Sequence, residues 1–298
     1  MTDRIFYSKC PSCYSIQIAK SLSATDHTVS HELFEIWHCS NCSLRFTQAV
    51  PDQDSIGRFY RSEEYISHTD TNKGIVNRMY RFVRGITVNN KRNIIHSHTH
   101  LSKGNLLDLG AGTGAFAVRM AKAGWTVSAL EPDEQARKKA ADLHSLQLQD
   151  SSKLFEFGKD SFDAITLWHV LEHVHALHEY LERIKEILKP GGILFIAVPN
   201  YISYDAAIYK EYWAAYDTPR HLYHFSPEAM QKLAGSHGLQ VKKIRPMWFD
   251  SFYVSLLSEK YKTGHSNLIK GFWNGAISNI KALSNNKKAS SLIYIISK

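Results

Sequence analysis

Apolar positions along this chain fall into short runs set apart by glycine and polar segments, and strand-like and helix-like patterns alternate between them. The run Asn105-Leu-Leu-Asp-Leu109 reads as a strand leading into three glycines, and residues 115–123 then read as a helix of strong formers without a breaker. A second strand over residues 125–130 ends at Glu131-Pro132. Leu146-Gln-Leu-Gln149, followed by Asp150, reads as a weak third strand, and residues 162–168 as a clearer fourth. Leu177, Leu181, Ile184 and Leu188 repeat at i, i+4, i+7 and i+11, which predicts a helix over residues 176–189 stopped by Pro190-Gly-Gly192. Residues 193–198 are apolar throughout, as in a strand buried on both faces. Residues 241–245 and 291–296 supply a sixth and a seventh strand. Alternating strands and helices predict an α/β fold with a mostly parallel, doubly wound, Rossmann-like sheet.

The segment Asp108-Leu-Gly-Ala-Gly-Thr-Gly114 lies between the first strand and its helix. Alternate glycines let a backbone turn tightly, and a helix N-terminus behind them presents N–H groups to the polar end of a ligand. Gly110, Gly112 and Ala115 also satisfy the dinucleotide pattern G-x-G-x-x-G/A, so the loop alone leaves a nicotinamide oxidoreductase open. Glu131 lies 17 residues past Gly114, where a carboxylate at the tip of the next strand accepts ribose hydroxyls.

Four motifs occur in order: the glycine segment, Leu130-Glu-Pro-Asp133, Trp168-His-Val-Leu-Glu-His-Val174 and Leu188-Lys-Pro-Gly-Gly192. Together they resemble the class I S-adenosylmethionine-dependent methyltransferases over about residues 101–246. The resemblance implies a seven-stranded sheet with an antiparallel last strand. It also implies a cofactor set of Asp108, Gly110, Ala111, Gly112, Gly114, Glu131, Pro132, Asp150, Trp168 and His169.

Composition narrows the picture. Hydrophobic residues make up 44% and aromatic residues 12%, which fits a packed globular chain. No apolar run is long enough to span a bilayer, and the first nine residues hold no signal-peptide core, so a cytoplasmic protein is expected. All four cysteines lie in two knuckles, Cys10-Pro-Ser-Cys13 and Cys39-Ser-Asn-Cys42, separated by 25 residues. Four thiolates from paired knuckles make the closed shell of a structural zinc ribbon, with two disulfides as the alternative. No cysteine is then left for covalent attack on a pyrimidine, and the Asn/Asp-Pro-Pro-Tyr motif of nucleobase amino methylation is missing.

Residues 1–50 therefore read as a zinc-ribbon-like domain, 51–100 as a helical linker or lid, and 101–298 as the methyltransferase domain. Tyr65 and His68 are candidate lid residues, residues 77–95 read as a basic helix, and His96-Ser-His-Thr-His100 as a solvated loop. Beyond the fourth strand, Glu172 and His173 could face the acceptor, bind a cation or cap the next helix. A second cluster contains Arg220, His221 and His224, before a helix opened by Ser226 and Pro227. Here Arg220 could hold an acidic or hydroxylated group, and His173, His221 and His224 are the candidate catalytic bases, since a neutral imidazole suits proton removal in methyl transfer. From Lys242 to the end there are ten basic and two acidic residues, a balance equal to the net charge of +8, and this stretch includes a basic insertion at about residues 250–289. That region could meet nucleic acid, anionic headgroups or phosphorylated sugars. The expected reaction is methylation of a small-molecule or saccharide acceptor. The alternatives are an RNA methyltransferase gripping phosphates with ribbon and tail, and a non-catalytic S-adenosylmethionine-binding module.

Overall fold

The computed structural model describes residues 4–60, 75–265 and 267–298. Tyr65 and His68 lie outside them. The N-terminal part contains β1 (Arg4–Ile5), β2 (Ile18–Thr25), β3 (Leu33–Cys39), β4 (Arg45–Thr47) and β5 (Val50–Pro51), then a 3₁₀ turn over Ile56–Tyr60. In β3 the side chains alternate as a strand requires, with Phe34 and Ile36 buried and Leu33 exposed. Asp26 closes the β2–β3 turn by accepting backbone N–H bonds from Thr28, Val29 and Ser30. Burial would raise this carboxyl, but the Ser30 N–H and the charge of Arg220 hold it down at about 2.

Helix α1 (Ile75–Thr99) leads into the alternating core: β6 (Asn105–Leu109), α2 (Ala115–Lys122), β7 (Thr126–Leu130), α3 (Glu134–His144), β8 (Phe162–Trp168), α4 (Leu177–Ile187) and β9 (Leu188–Pro199). After these come α5 (Tyr204–Tyr209), β10 (Tyr223–His224), α6 (Pro227–Ser236), β11 (Gln240–Pro246), α7 (Asp250–Thr263), α8 (Leu268–Ser284) and β12 (Ser291–Ser297). The central sheet is mixed, in the order β11-β12-β9-β8-β6-β7. β6, β7, β8 and β9 pair in parallel, whereas β12 runs antiparallel to both of its neighbours. Among the described residues no helix is long and apolar enough to cross a membrane.

Three sequence expectations need correction. The sheet has six strands, not seven, because Leu146–Gln149 contributes one isolated bridge, Leu130 to Gln149. Gln149 exchanges bonds with Ala129 and Glu131, and Asp150 then caps the 3₁₀ turn Ser151–Glu156, which ends the ladder at once. Helix α4 stops at Ile187, since Leu188 already pairs with Phe162; the strand absorbs Pro190-Gly-Gly192 through a register shift on β8 between Phe162 and Ala164. His96 and His98 belong to the last turn of α1, not to a loop.

The N-terminal strands are not a separate bead. β10 joins β4, β3 and β2 as the edge of a four-stranded sheet, pairing Tyr223 with Phe46 and His224 with Arg45. One apolar cluster runs from Cys10, Cys39, Cys42, Leu44 and Phe46 through Tyr223 and Phe225 to Leu109 and Leu167 of the central sheet. The N-terminal sheet is thus held by the segment that carries the second histidine cluster.

Candidate active site

The glycine loop leaves the C-terminal end of β6 with Gly110, Gly112 and Gly114 at φ of +68°, +56° and +79°. A side chain at Gly110 would strike Val170 at 2.4 Å, whereas a Cβ at Gly112 would meet nothing within 4 Å. The first glycine is needed for packing, and the second keeps an open approach to the backbone. Glu131, at the tip of β7, is buried and turned to this loop: its Oε2 accepts the Gly112 N–H at 2.7 Å and its Oε1 the Asp133 N–H at 3.0 Å. Burial pushes this carboxyl above its ordinary range, against those two bonds. Ala111 is tied to β7 by its N–H to the Leu130 carbonyl. Pro132 directs its carbonyl to Arg137, which also reaches the exposed Asp150. Asp108 is buried under the loop, where Oδ1 accepts from Thr166 Oγ1 at 2.7 Å and burial raises its carboxyl to about 7. Trp168 stands edge-on to Phe116 with Lys91 over its ring, and its buried indole N–H has no partner. The open backbone at Gly112, the buried Glu131 carboxylate and this unpartnered indole together fit an adenosyl ligand.

Beside this cradle His169 holds a left-handed backbone, φ +59°, a strained conformation of the kind kept at functional positions. Its Nε2 lies 2.9 Å from Asp250 Oδ2, at the start of α7, and its Nδ1 lies 3.4 Å from Glu172 Oε1. Burial alone would lower this imidazole, but the charge and hydrogen bond of Asp250, reinforced by Glu172, hold it up at about 10. Asp250 and Glu172 are both held below their ordinary values despite burial. The trio therefore carries one net negative charge at neutral pH. A raised imidazole contributes stability below its unfolded value of 6.5, and that contribution disappears as pH rises through about 10. His169 is accordingly expected to remain protonated through neutral pH when its imidazole is followed by NMR. In Asp250→Asn its titration should fall into or below the ordinary histidine range. A wild-type titration near 6.5 would refute the pairing.

Glu172 is fully buried, and its carboxylate has no hydrogen-bond partner shorter than the 3.4 Å contact of Oε1 with His169. It shares a cluster with His173 and His221, whose ligand atoms lie within 4.8 Å of one another. His173 Nδ1 lies 2.9 Å from the Arg220 carbonyl and 3.0 Å from the Tyr60 hydroxyl, and His221 Nδ1 lies 2.9 Å from the Ala215 carbonyl. A carbonyl only accepts, so both rings keep the proton on Nδ1 and the lone pair on Nε2. The two rings meet edge to face at 4.6 Å. Burial and the charge of His221 push His173 down to about 4. Two lone-pair nitrogens and a buried carboxylate have the donor types for a divalent cation or for an acceptor's proton.

Two residues of the second cluster lie elsewhere. Arg220 is not available to an acceptor: its guanidinium is buried between Asp217 at 2.6 Å and Asp26 at 3.1 Å, and it donates to the Phe59 carbonyl. This pairing clamps the ribbon turn to the catalytic part, and removing one partner of such a buried pair costs about 3–5 kcal/mol. His224 is buried with Nε2 3.1 Å from Thr47 Oγ1, and burial holds it well below its ordinary value. It packs in the β4–β10 seam, apart from the cluster of His173 and His221. Conversely, nothing in the sequence singled out Asp250, Tyr60, Lys91 or Thr166.

The four cysteines are free thiols, so the disulfide alternative does not describe this structure. Cys10 and Cys42 sulfurs lie 3.5 Å apart, Cys13 and Cys39 sulfurs 3.6 Å, and all four fall within 4.8 Å. Tetrahedral Zn–S bonds of about 2.3 Å place sulfurs at roughly 3.8 Å, so the set fits. The knuckles are alike: Tyr14 and Ser43 each stand at positive φ and return an N–H to the carbonyl of the first cysteine, Cys10 or Cys39. Asn41 adds an N–H to Cys13 Sγ.

Known proteins resemble the chain in sequence and in fold. Over 102 residues the chain is 35% identical to the ubiquinone biosynthesis O-methyltransferase of Caulobacter vibrioides, covering 32% of this chain and 40% of that protein. The human mitochondrial ubiquinone biosynthesis O-methyltransferase is 27% identical over 163 residues, 49% of this chain and 44% of that one. The chain thus spans less than half the length of these relatives. In fold it is similar to the 1,6-didemethyltoxoflavin-N1-methyltransferase of Burkholderia thailandensis, with TM-score 0.51 and 15% identity over 92% of this chain and 99% of that one. The family described as "Methyltransferase domain" matches residues 89–244, just over half of the chain and the span that holds the glycine loop, Glu131 and the Glu172–His173–His221 cluster, and the chain belongs to that family.

Proposed function

We propose that the chain transfers a methyl group from S-adenosylmethionine to a hydroxyl group of a small-molecule acceptor. The observation that carries this reading is Glu131, a buried carboxylate bonded to the Gly112 N–H at the mouth of the sheet, next to the His169–Glu172–Asp250 trio. When bound, the cofactor supplies an electrophilic methyl on a cationic sulfonium. Glu131 would hold ribose hydroxyls, the glycine loop the polar end of the ligand, and Trp168 a flat apolar wall. The single net negative charge of the trio favours a cation beside it. On the acceptor side, His221 takes the hydroxyl proton. Its ring lies near Asp217, 3.9 Å from Oδ2, and His173 cannot share the charge because burial and His221 hold it down. O-methylation is supported by relatives named as O-methyltransferases. We assign a structural zinc to Cys10, Cys13, Cys39 and Cys42, and the division at about residues 50 and 100 belongs to the same reading.

Glu131→Ala tests the cofactor assignment. Each charge-assisted hydrogen bond is worth about 1.5–3 kcal/mol, so loss of a carboxylate that grips two hydroxyls should weaken S-adenosylhomocysteine binding at least about 100-fold by calorimetry. Unchanged affinity in a natively melting variant would refute it. For the acceptor, labelled methyl groups should pass to phenolic compounds in preference to sugars or RNA; labelling of RNA alone would overturn the small-molecule reading.

A further inference from the structure

Helices α7 and α8 form a hairpin whose sidedness is reversed. Buried positions of α8 are Gly271, Gly275, Ser278 and Ala282, a small-residue row at i, i+4, i+7 and i+11. This row lies directly on α7: a Cβ at Gly271 would come within 2.9 Å of Leu256 Cα, and one at Gly275 within 2.8 Å of Phe252 Cα. α7 buries Ser251, Val254, Ser255, Ser258 and Glu259; across the hairpin Ser251 is bonded to Asn279 and Asn274 to Glu259, while Ser258 accepts the Ala214 N–H. Most large apolar side chains of α8 lie away from α7: Ile269 is 86% exposed and Trp273 65%, with Ile280 and Leu283 also exposed, while Phe272 stacks on Phe252 of α7. A helix stable in water buries its large apolar residues and shows its small polar ones, whereas close glycine packing with outward apolar residues is the pattern of helices in contact with lipid.

Charge identifies the occupant. Lys262, Lys270, Lys281, Lys287 and Lys288 stand at exposed positions of the hairpin and the following turn. Of these, Lys270 is paired with the buried Glu259 at 3.2 Å, and Lys262, Lys281, Lys287 and Lys288 carry the charge of the rim. The two acids of the region are turned inward, Asp250 to His169 and Glu259 to Lys270 and Asn274. A second copy meeting this face symmetrically would oppose lysine to lysine. An anionic lipid surface satisfies both the apolar stripe and the lysines at its rim. We propose that the outward face of α8 docks the protein on an anionic bilayer, lying in the interface plane and not crossing it. Because α7 begins at Asp250, the docked hairpin ends at His169 and the mouth of the site. The proposal does not depend on the identity of the acceptor.

The test is flotation of the full chain with phosphatidylcholine vesicles, with and without phosphatidylglycerol. The wild type should float with the phosphatidylglycerol vesicles and be released by salt. The double variant Ile269→Asp/Trp273→Asp should partition at least about tenfold less, since withdrawing each large apolar side chain from hydrocarbon is worth on the order of a factor of ten. Lys281→Glu/Lys287→Glu should abolish the preference for phosphatidylglycerol while melting and S-adenosylhomocysteine affinity stay unchanged. Absence of wild-type flotation, or equal flotation of Ile269→Asp/Trp273→Asp, would overturn the proposal. So would a concentration-dependent dimer in light scattering that this double variant splits, because a second copy would then cover the face.

Discussion

His221→Asn is expected to lower kcat by about 10²–10⁴, the usual worth of a positioned general base, with S-adenosylhomocysteine affinity unchanged. Asparagine is chosen because its amide N–H can replace the Nδ1–H donated to Ala215, so the loop is kept while the basic Nε2 is removed. His173 is not the base, because burial and the charge of His221 hold it at about 4. Glu172, fully buried in the same cluster, would stabilise an imidazolium formed at His221. Wild-type turnover in this variant would move the proton to another group and leave His221 a packing residue.

Sequence resolved best those parts whose physics is local. The run of residues 193–198 can only be a strand covered on both sides, and Ile193–Val198 indeed lie between β8 and β12. Glycine at 110, 112 and 114 predicted a tight turn, and all three stand at positive φ. Leu146–Gln149 misled because an apolar segment of strand length says nothing about how long its partner stays in register; Asp150 ended it. Arg220 and His224 misled for a different reason. Their residue types suit chemistry, but burial against Asp26, Asp217 and Thr47 decides their use, and those partners are distant in sequence. Asp250 was illegible on the same ground, since nothing near it in sequence points to His169. The Gly271–Gly275 spacing is legible in the sequence, but the direction of its large neighbours is fixed only by packing on α7.

The ribbon has the widest reach, since its loss should disable a site to which it contributes no cradle residue. Purified protein is expected to carry one zinc per chain, and Cys39→Ser should lose it. Structural zinc is worth about 10–16 kcal/mol, as much as the whole stability of an ordinary domain, so the ribbon unfolds without it. The damage would pass through β10. With β4 gone, Thr47 no longer donates to the His221 carbonyl or receives His224, and Tyr223 and His224 lose their strand partners Phe46 and Arg45. Disorder of the β2–β3 turn would also remove Asp26 from Arg220, leaving a buried guanidinium with part of its pairing. Strands β6, β7 and β8 and the glycine loop pair among themselves and not with the ribbon. Chelation should therefore reduce kcat far more than it weakens S-adenosylhomocysteine binding, and readdition of zinc should restore it. Metal analysis, calorimetry and turnover on one chelated sample decide the matter. Full turnover and unchanged melting in metal-free protein would show that the thiols hold the ribbon without an ion and that β10 does not depend on it.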